Sequence, residues 1–241
     1  MVDDRQQQRC NPRPTLWNAD MSPLELTPQL QHWQQQLIGL LQQQEPDADG
    51  AHDLSHFHRV WAAARHILPH HPQADALVVL AACYLHDLVN LPKNHPDRAQ
   101  ASRLAAAKAS TLLEQAGFPA DKLAAVAHAI EAHSFSANIA PQTDEARIVQ
   151  DADRMDALGA IGLARMFYTS GRMGRQLAHP DKPLGEGRAL DDREYALDHI
   201  EVKLEKLPGM MQTAAGRAMA VERLARLHAF RQQFVEEWLA R

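Results

Sequence analysis

His86 and Asp87 put an imidazole and a carboxylate side by side near the end of an apolar, alanine-rich segment, within Tyr84-Leu85-His86-Asp87. Burying such a pair is costly unless something binds it, and a divalent metal ion uses both kinds of group. Two further stretches offer metal-compatible side chains among apolar residues: Asp53-Leu54-Ser55-His56-Phe57-His58-Arg59-Val60 upstream and Ile148-Val149-Gln150-Asp151-Ala152-Asp153-Arg154-Met155-Asp156 downstream. A lone His56 would read as a satisfied core histidine. Its setting changes that reading, because Asp53 lies three residues before it and Arg59 three after, along one helix face. Asp156 is three residues from Asp153 and shares its face, whereas Asp151 is two away and must cap or pair elsewhere.

The elements that must position these groups read as helices. The first begins near Pro28 with Leu30, Trp33, Leu37, Leu40 and Leu41 as its apolar stripe, and its glutamines face solvent. Residues 1–27 form a loose or docked arm, and 28–241 a single domain. After a linker at Glu45 to Gly50, a second helix starts at Asp53 or Ser55 and stops at Pro69. The third runs from about Gln73 to Leu91, ended by Pro92. Arg98 to Ala116 is an alanine-rich helix closed by Gly117, and Pro119 starts the next, with Leu123, Val126, Ala127 and Ile130 inward. Thr143 or Asp144 caps a helix that continues to about Ser170 through Gly159 and Gly162. Residues 171–192 form a long irregular connection of the kind that acts as a lid, with Arg172, Arg175 and Lys182 as its cations. A helix over Arg193 to Leu207 and a long last one reaching Trp238 complete the chain.

Composition agrees with an all-α fold. In 241 residues 45% are hydrophobic but only 5% aromatic, so alanine and leucine carry the core, which favours helix packing over a strand-rich sandwich. The formal charge of -5, with no long basic block, argues against a nucleic-acid partner. Cys10 and Cys83 make no disulfide framework, and Cys83 reads as a buried reduced thiol. No run is long and apolar enough for a bilayer and no signal-peptide pattern stands out, so the expected location is cytoplasmic, as a monomer or homodimer.

The order His56, His86-Asp87, Asp153 resembles the HD superfamily of metal-dependent phosphohydrolases. The similarity runs from about Asp53 to the C-terminus. It is carried by D-x-x-H-x-x-R-V at Asp53 to Val60, by Leu85-His86-Asp87, and by Asp151-Ala152-Asp153-Arg154-Met155-Asp156-Ala157-Leu158-Gly159. Lys203-Leu204-x-x-Leu207-Pro208-Gly209-Met210-Met211, with Thr213, Gly216 and Arg217, extends it. The text looks like the bacterial subfamily of small HD-domain hydrolases related to nucleotide pyrophosphohydrolases.

The resemblance implies an HD-domain helical bundle in which His56, His86, Asp87 and Asp153 hold one divalent ion. Mn²⁺ suits this nitrogen and oxygen set best, with Mg²⁺, Fe²⁺, Co²⁺, Ni²⁺ or Zn²⁺ as other occupants. It implies a small phosphorylated substrate, a nucleotide, with Arg59, Lys93, His95 and Arg98 on its phosphates and His133, His199 and Lys203 lining the pocket. Asp87, Asp156 and His95 are the expected catalytic groups, Asp156 orienting water or moving its proton. Many relatives have an acidic residue three positions after the motif aspartate, where this chain has Asn90. An amide is no proton acceptor, which counts against relatives that need an acid there, and the resemblance favours nucleoside triphosphate pyrophosphohydrolysis over a nucleotidase or phosphatase acting on mononucleotides or other phosphoesters. A metal-containing nucleotide-binding protein without catalysis is the reading from another class.

Overall fold

A computed structural model describes residues 22–44, 53–89, 91 and 95–240. Residues 1–21 of the expected arm, the 45–50 linker, Asn90 and Lys93 lie outside the described residues. Among those described no strand forms, and the expected all-α class holds. One isolated parallel bridge joins Gln176 and Tyr195.

The bundle is built around α3 (Ala76–Leu85), which is apolar on every side and buried from Leu77 to Leu85. A helix of that kind belongs at the centre of a packed domain, and it contacts α1 (Pro28–Gln42), α2 (Leu54–Ile67), α5 (Leu123–His133) and α6 (Asp144–Met155). Asp75 caps its N-terminus by accepting from Leu77 N and Val78 N. Asp53 does the same for α2 by accepting from His56 N at 3.0 Å. On α1, Leu30, Trp33 and Leu37 are buried as expected, and Trp33 meets Phe118 edge to face at 4.8 Å. Ahead of α1, Leu24 exchanges hydrogen bonds with Arg65 of α2 through Leu24 N to Arg65 O and Arg65 Nε to Leu24 O. α4 (Ala101–Gln115) ends where expected, with Gly117 at a φ of 76°.

Three helix boundaries differ from the sequence expectation. α3 stops at Leu85 instead of Leu91, because His86 Nδ1 donates to Cys83 O and Leu88 N closes on Leu85 O, so side-chain and three-residue bonds replace the helical ladder. The helix expected from Thr143 to Ser170 breaks into α6 and α7 (Gly159–Arg172). At the break Asp156 N, Ala157 N and Leu158 N bond three residues back, Gly159 takes a φ of 73°, and a Cβ on Gly162 would meet Ala157 O at 2.2 Å. The helix expected over Arg193 to Leu207 shrinks to α8 (Asp198–Val202) and a 3₁₀ stretch, Leu204–Met210. The residues before α8 are used elsewhere, since Gln176 N bonds Glu194 O, and Ala196 N and Leu197 N bond Gln176 O and Leu177 O.

The long connection after α7 is irregular, as expected, but it is tied down. Arg188 grips the buried Asp198 with two bonds of 2.6 and 2.7 Å. α9 (Ala214–Trp238) is fixed to α6 by the buried Asp151, which accepts from Gln212 N, Thr213 N and Thr213 Oγ1, each at 2.8 Å. Asp151 thus pairs away from Asp153 and Asp156. Among the described residues no helix is long and apolar enough to cross a membrane.

Candidate metal centre

The end of α3 meets α2 and α6 at a cluster of imidazoles and carboxylates. His56 Nε2 lies 3.2 Å from His86 Nε2, 3.5 Å from Asp153 Oδ1 and 3.9 Å from Asp87 Oδ2. His86 Nε2 lies 3.4 Å from Asp87 Oδ2 and 3.6 Å from Asp153 Oδ1. Two donors about 2.1 Å from one ion are about 3.0 Å apart at a right angle and about 3.4 Å apart at a tetrahedral one. The cluster therefore has the dimensions of a shared coordination shell. The turn that ends α3 brings His86 and Asp87 together, since helical geometry alone would point consecutive residues about 100° apart.

Each histidine has an acceptor behind it, and for His56 that acceptor, at 2.8 Å, is nearer than the Arg165 Nη1 that stands 3.3 Å from the same nitrogen. His56 Nδ1 faces Asp156 Oδ2 at 2.8 Å, His86 Nδ1 faces Cys83 O at 3.0 Å, and His133 Nδ1 faces Ile130 O. A carboxylate or carbonyl on Nδ1 requires the proton there, which leaves Nε2 as the atom offered to the cluster. His133 joins at the edge: its Nε2 is 3.5 Å from Asp87 Oδ1, so Asp87 faces His86 with one oxygen and His133 with the other. His86, Asp87 and His133 together make a second group of metal-compatible donors.

The electrostatics follow from this crowding. Burial favours the neutral carboxyl of Asp87, yet His86 and His133 outweigh it and hold the group well below the usual range. Asp153 is treated alike, with burial opposing and His86 prevailing. Burial lowers the pKa of His56 despite the Asp156 hydrogen bond. For His86 burial is overcome by Asp87 and Asp153, which raise it to about 10. A cation in the cluster would meet these two carboxylates in place of that proton. Burial, and then Asp153, push the Cys83 thiol well up, which keeps it an inert core group.

His56, His86, Asp87, Asp153 and His133, expected at the site, come together here. Arg59 and Asp156 take another place than expected. Asp156 is buried, and both its oxygens are engaged: Arg59 Nε and Nη2 donate at 2.7 and 2.9 Å, and Arg165 Nη1 stands 3.0 Å away. His56, Arg59 and Arg165 hold this carboxyl below the usual range against the effect of burial. A carboxylate so committed orients His56 and is poorly placed to take a proton from water. The Arg59 guanidinium spends its Nε and Nη2 on Asp156. His95 accepts from Asp97 N at 3.1 Å, and Arg98 donates to Leu91 O. His199 Nδ1 pairs with Asp192 at 2.7 Å, and Lys203 Nζ sits 5.7 Å from the centre of the exposed Phe135 ring. Arg165 was absent from the expected set. Nothing in local spacing marks it, because its partners lie nine residues back at the C-terminal cap of α6 and 109 residues back on α2.

The family described as the HD domain matches residues 53–158. YpgQ of Bacillus subtilis, an uncharacterized protein, is 31% identical over 221 residues, which covers 90% of this chain and 94% of that one. The crystal structure of an HD-superfamily hydrolase from Bacillus thuringiensis is 30% identical with a TM-score of 0.67, covering 88% of this chain and all of that one. The crystal structure of B. subtilis YpgQ in complex with ADP has a TM-score of 0.59 at 27% identity, covering 87% and 92% of the two chains.

Proposed function

Since the chain belongs to the HD superfamily of metal-dependent phosphohydrolases, we propose that it hydrolyses nucleoside triphosphates, releasing pyrophosphate and leaving the monophosphate. His56, His86, Asp87 and Asp153 are its ligands for one divalent ion, Mn²⁺ by preference for a mixed nitrogen and oxygen set. The observation that carries this assignment is that the two Nε2 atoms lie 3.2 Å apart with an oxygen of Asp87 and one of Asp153 each 3.4 to 3.9 Å from them, and that Nδ1 of both histidines is already committed behind them. When bound, such an ion polarises a phosphoryl oxygen and acidifies water. The side chains do the rest: Asp156, held by Arg59 and Arg165, fixes the ring of His56, while His133 steadies the outer oxygen of Asp87 at the edge of the cluster.

A diphosphate-bearing nucleotide is supported as the ligand class by the relative YpgQ, whose structure is a complex with ADP. His95, Arg98 and Lys93 follow the His86-Asp87 turn, and His199 and Lys203 precede α9. We assign these groups to the substrate, the cations to its phosphates. His95, partly exposed, is the remaining candidate for proton transfer now that Asp156 is engaged. The test is product identification with Mn²⁺ and nucleoside mono-, di- and triphosphates in isotope-labelled water. Monophosphate and pyrophosphate from a triphosphate support the reading, and orthophosphate as the sole product rejects it. Tight nucleotide binding with no release of either product would instead identify a binding protein.

A further inference from the structure

Arg59, whose guanidinium holds Asp156 behind His56, also forms part of the wall of a cavity of about 250 Å³ between α2, the start of α7 and α9. The charged and titratable side chains in that wall are all basic: Arg59, His66, Arg223 and Arg226. Apolar residues such as Leu158 complete it. The contacts of these arginines leave positive charge over among the described residues. Arg59 shares Asp156 with Arg165, Arg226 pairs with Glu222, and Arg223 Nη1 donates at 2.8 Å to Met155 O, a neutral carbonyl. Among the described residues, the three guanidinium groups of this wall thus contact two carboxylates, Asp156 and Glu222. Burial pushes the Arg223 pKa down, as expected of a guanidinium without a full counter-charge in contact.

The backbone adds donors at the same place. Gly159, Ala160 and Ile161 line the cavity and form the first turn of α7. Its capping residue is Leu158, so no side chain caps the amides of this turn. Forked guanidinium donors and the N–H groups of a helix start suit the several oxygens of a phosphate.

We propose that this cavity is a second anion site, which takes a phosphate group and communicates with the metal centre through Arg59, Asp156 and His56. An anion there competes with Asp156 for Arg59, and Asp156 is what orients the imidazole of His56. The site is separate from the substrate position proposed above, because it meets the Nδ1 side of His56 through Asp156, while the ligand atoms face Nε2.

Equilibrium dialysis of labelled inorganic phosphate against the Mn²⁺-loaded protein tests this. Ala160→Glu places a tethered carboxylate at an exposed position in the cavity wall. Wild type should bind one phosphate more per chain than this variant. Arg226→Ala, at a residue whose side chain is 54% exposed, should keep the fold and weaken that additional phosphate by about tenfold or more. Mn²⁺ affinity should respond to phosphate differently in wild type and Ala160→Glu, since only wild type can load the cavity. Equal phosphate numbers in wild type and Ala160→Glu, or undiminished affinity in Arg226→Ala, would overturn the proposal. The count needs no turnover, so a chain that hydrolyses no nucleotide yet binds the extra phosphate defeats the hydrolase reading and leaves this site standing.

Discussion

An imidazole offers a lone pair to a metal only when its other nitrogen carries the proton, so the acceptors behind His56, His86 and His133 decide how each ring can bind. Two of those acceptors are backbone carbonyls, which no substitution removes, but His56 depends on the Asp156 side chain. Asp156→Asn can present an amide oxygen or an amide NH₂ there, and it loses the charge that holds Arg59 and Arg165. Such outer partners typically contribute about 10- to 100-fold in metal affinity or activity. Calorimetric titration with Mn²⁺ should show a loss of that size in Asp156→Asn; unchanged affinity would remove Asp156 from any orienting role. The residues proposed as ligands stood out in the sequence because each lies in or beside an apolar stretch where an unpaired charge is out of place. The partners of Asp156 were not, since a contact across 97 residues leaves no trace in local spacing.

The helices that carry the ligands were readable from their apolar periodicity, and their ends were not. Tyr84 to Leu91 keeps a helical pattern on paper, yet a His86 side chain bonded to Cys83 O stops α3 six residues early. The α6 to α7 break likewise rests on the backbone of Gly159, whose positive φ has no unique sequence signature. The Thr143 cap of α6 was legible, whereas α3 starts past the expected Gln73 on Asp75, whose cap allows a quantitative test. Burial raises the cost of its charge, but Lys122 and the amides of Leu77 and Val78 outweigh it, so its native pKa is lowered. The unfolded carboxyl takes its proton near pH 3.9 and the native one only at lower pH. Its stabilisation is therefore present above about pH 4 and is lost as pH falls through the native value. Urea unfolding should show Asp75→Ala less stable than wild type by about 1–2 kcal/mol at pH 7, with the gap narrowing below about pH 4. A gap that stays constant to pH 3 would contradict this.

At the scale of the molecule, the centre ties α2, the end of α3 and α6 to one point, and α6 is in turn bound to α9 through Asp151. An ion held by three elements binds the folded chain and has no comparable site in the unfolded one. Free metal at 100 times its Kd should add about 2.7 kcal/mol of stability. For a chain of this size that corresponds to a rise of roughly 5–10 °C in Tm, which calorimetry with Mn²⁺ and then with a chelator would record. The all-α class was legible from composition; the pinning of the 171–192 connection was not, because it depends on Arg188 finding Asp198. The most direct measurement of the central claim is an anomalous-scattering scan of a crystal grown with Mn²⁺. A peak is expected about 2–2.4 Å from His56 Nε2, His86 Nε2 and a carboxylate oxygen of both Asp87 and Asp153. A bound ion whose shell leaves out any two of these side chains would contradict it.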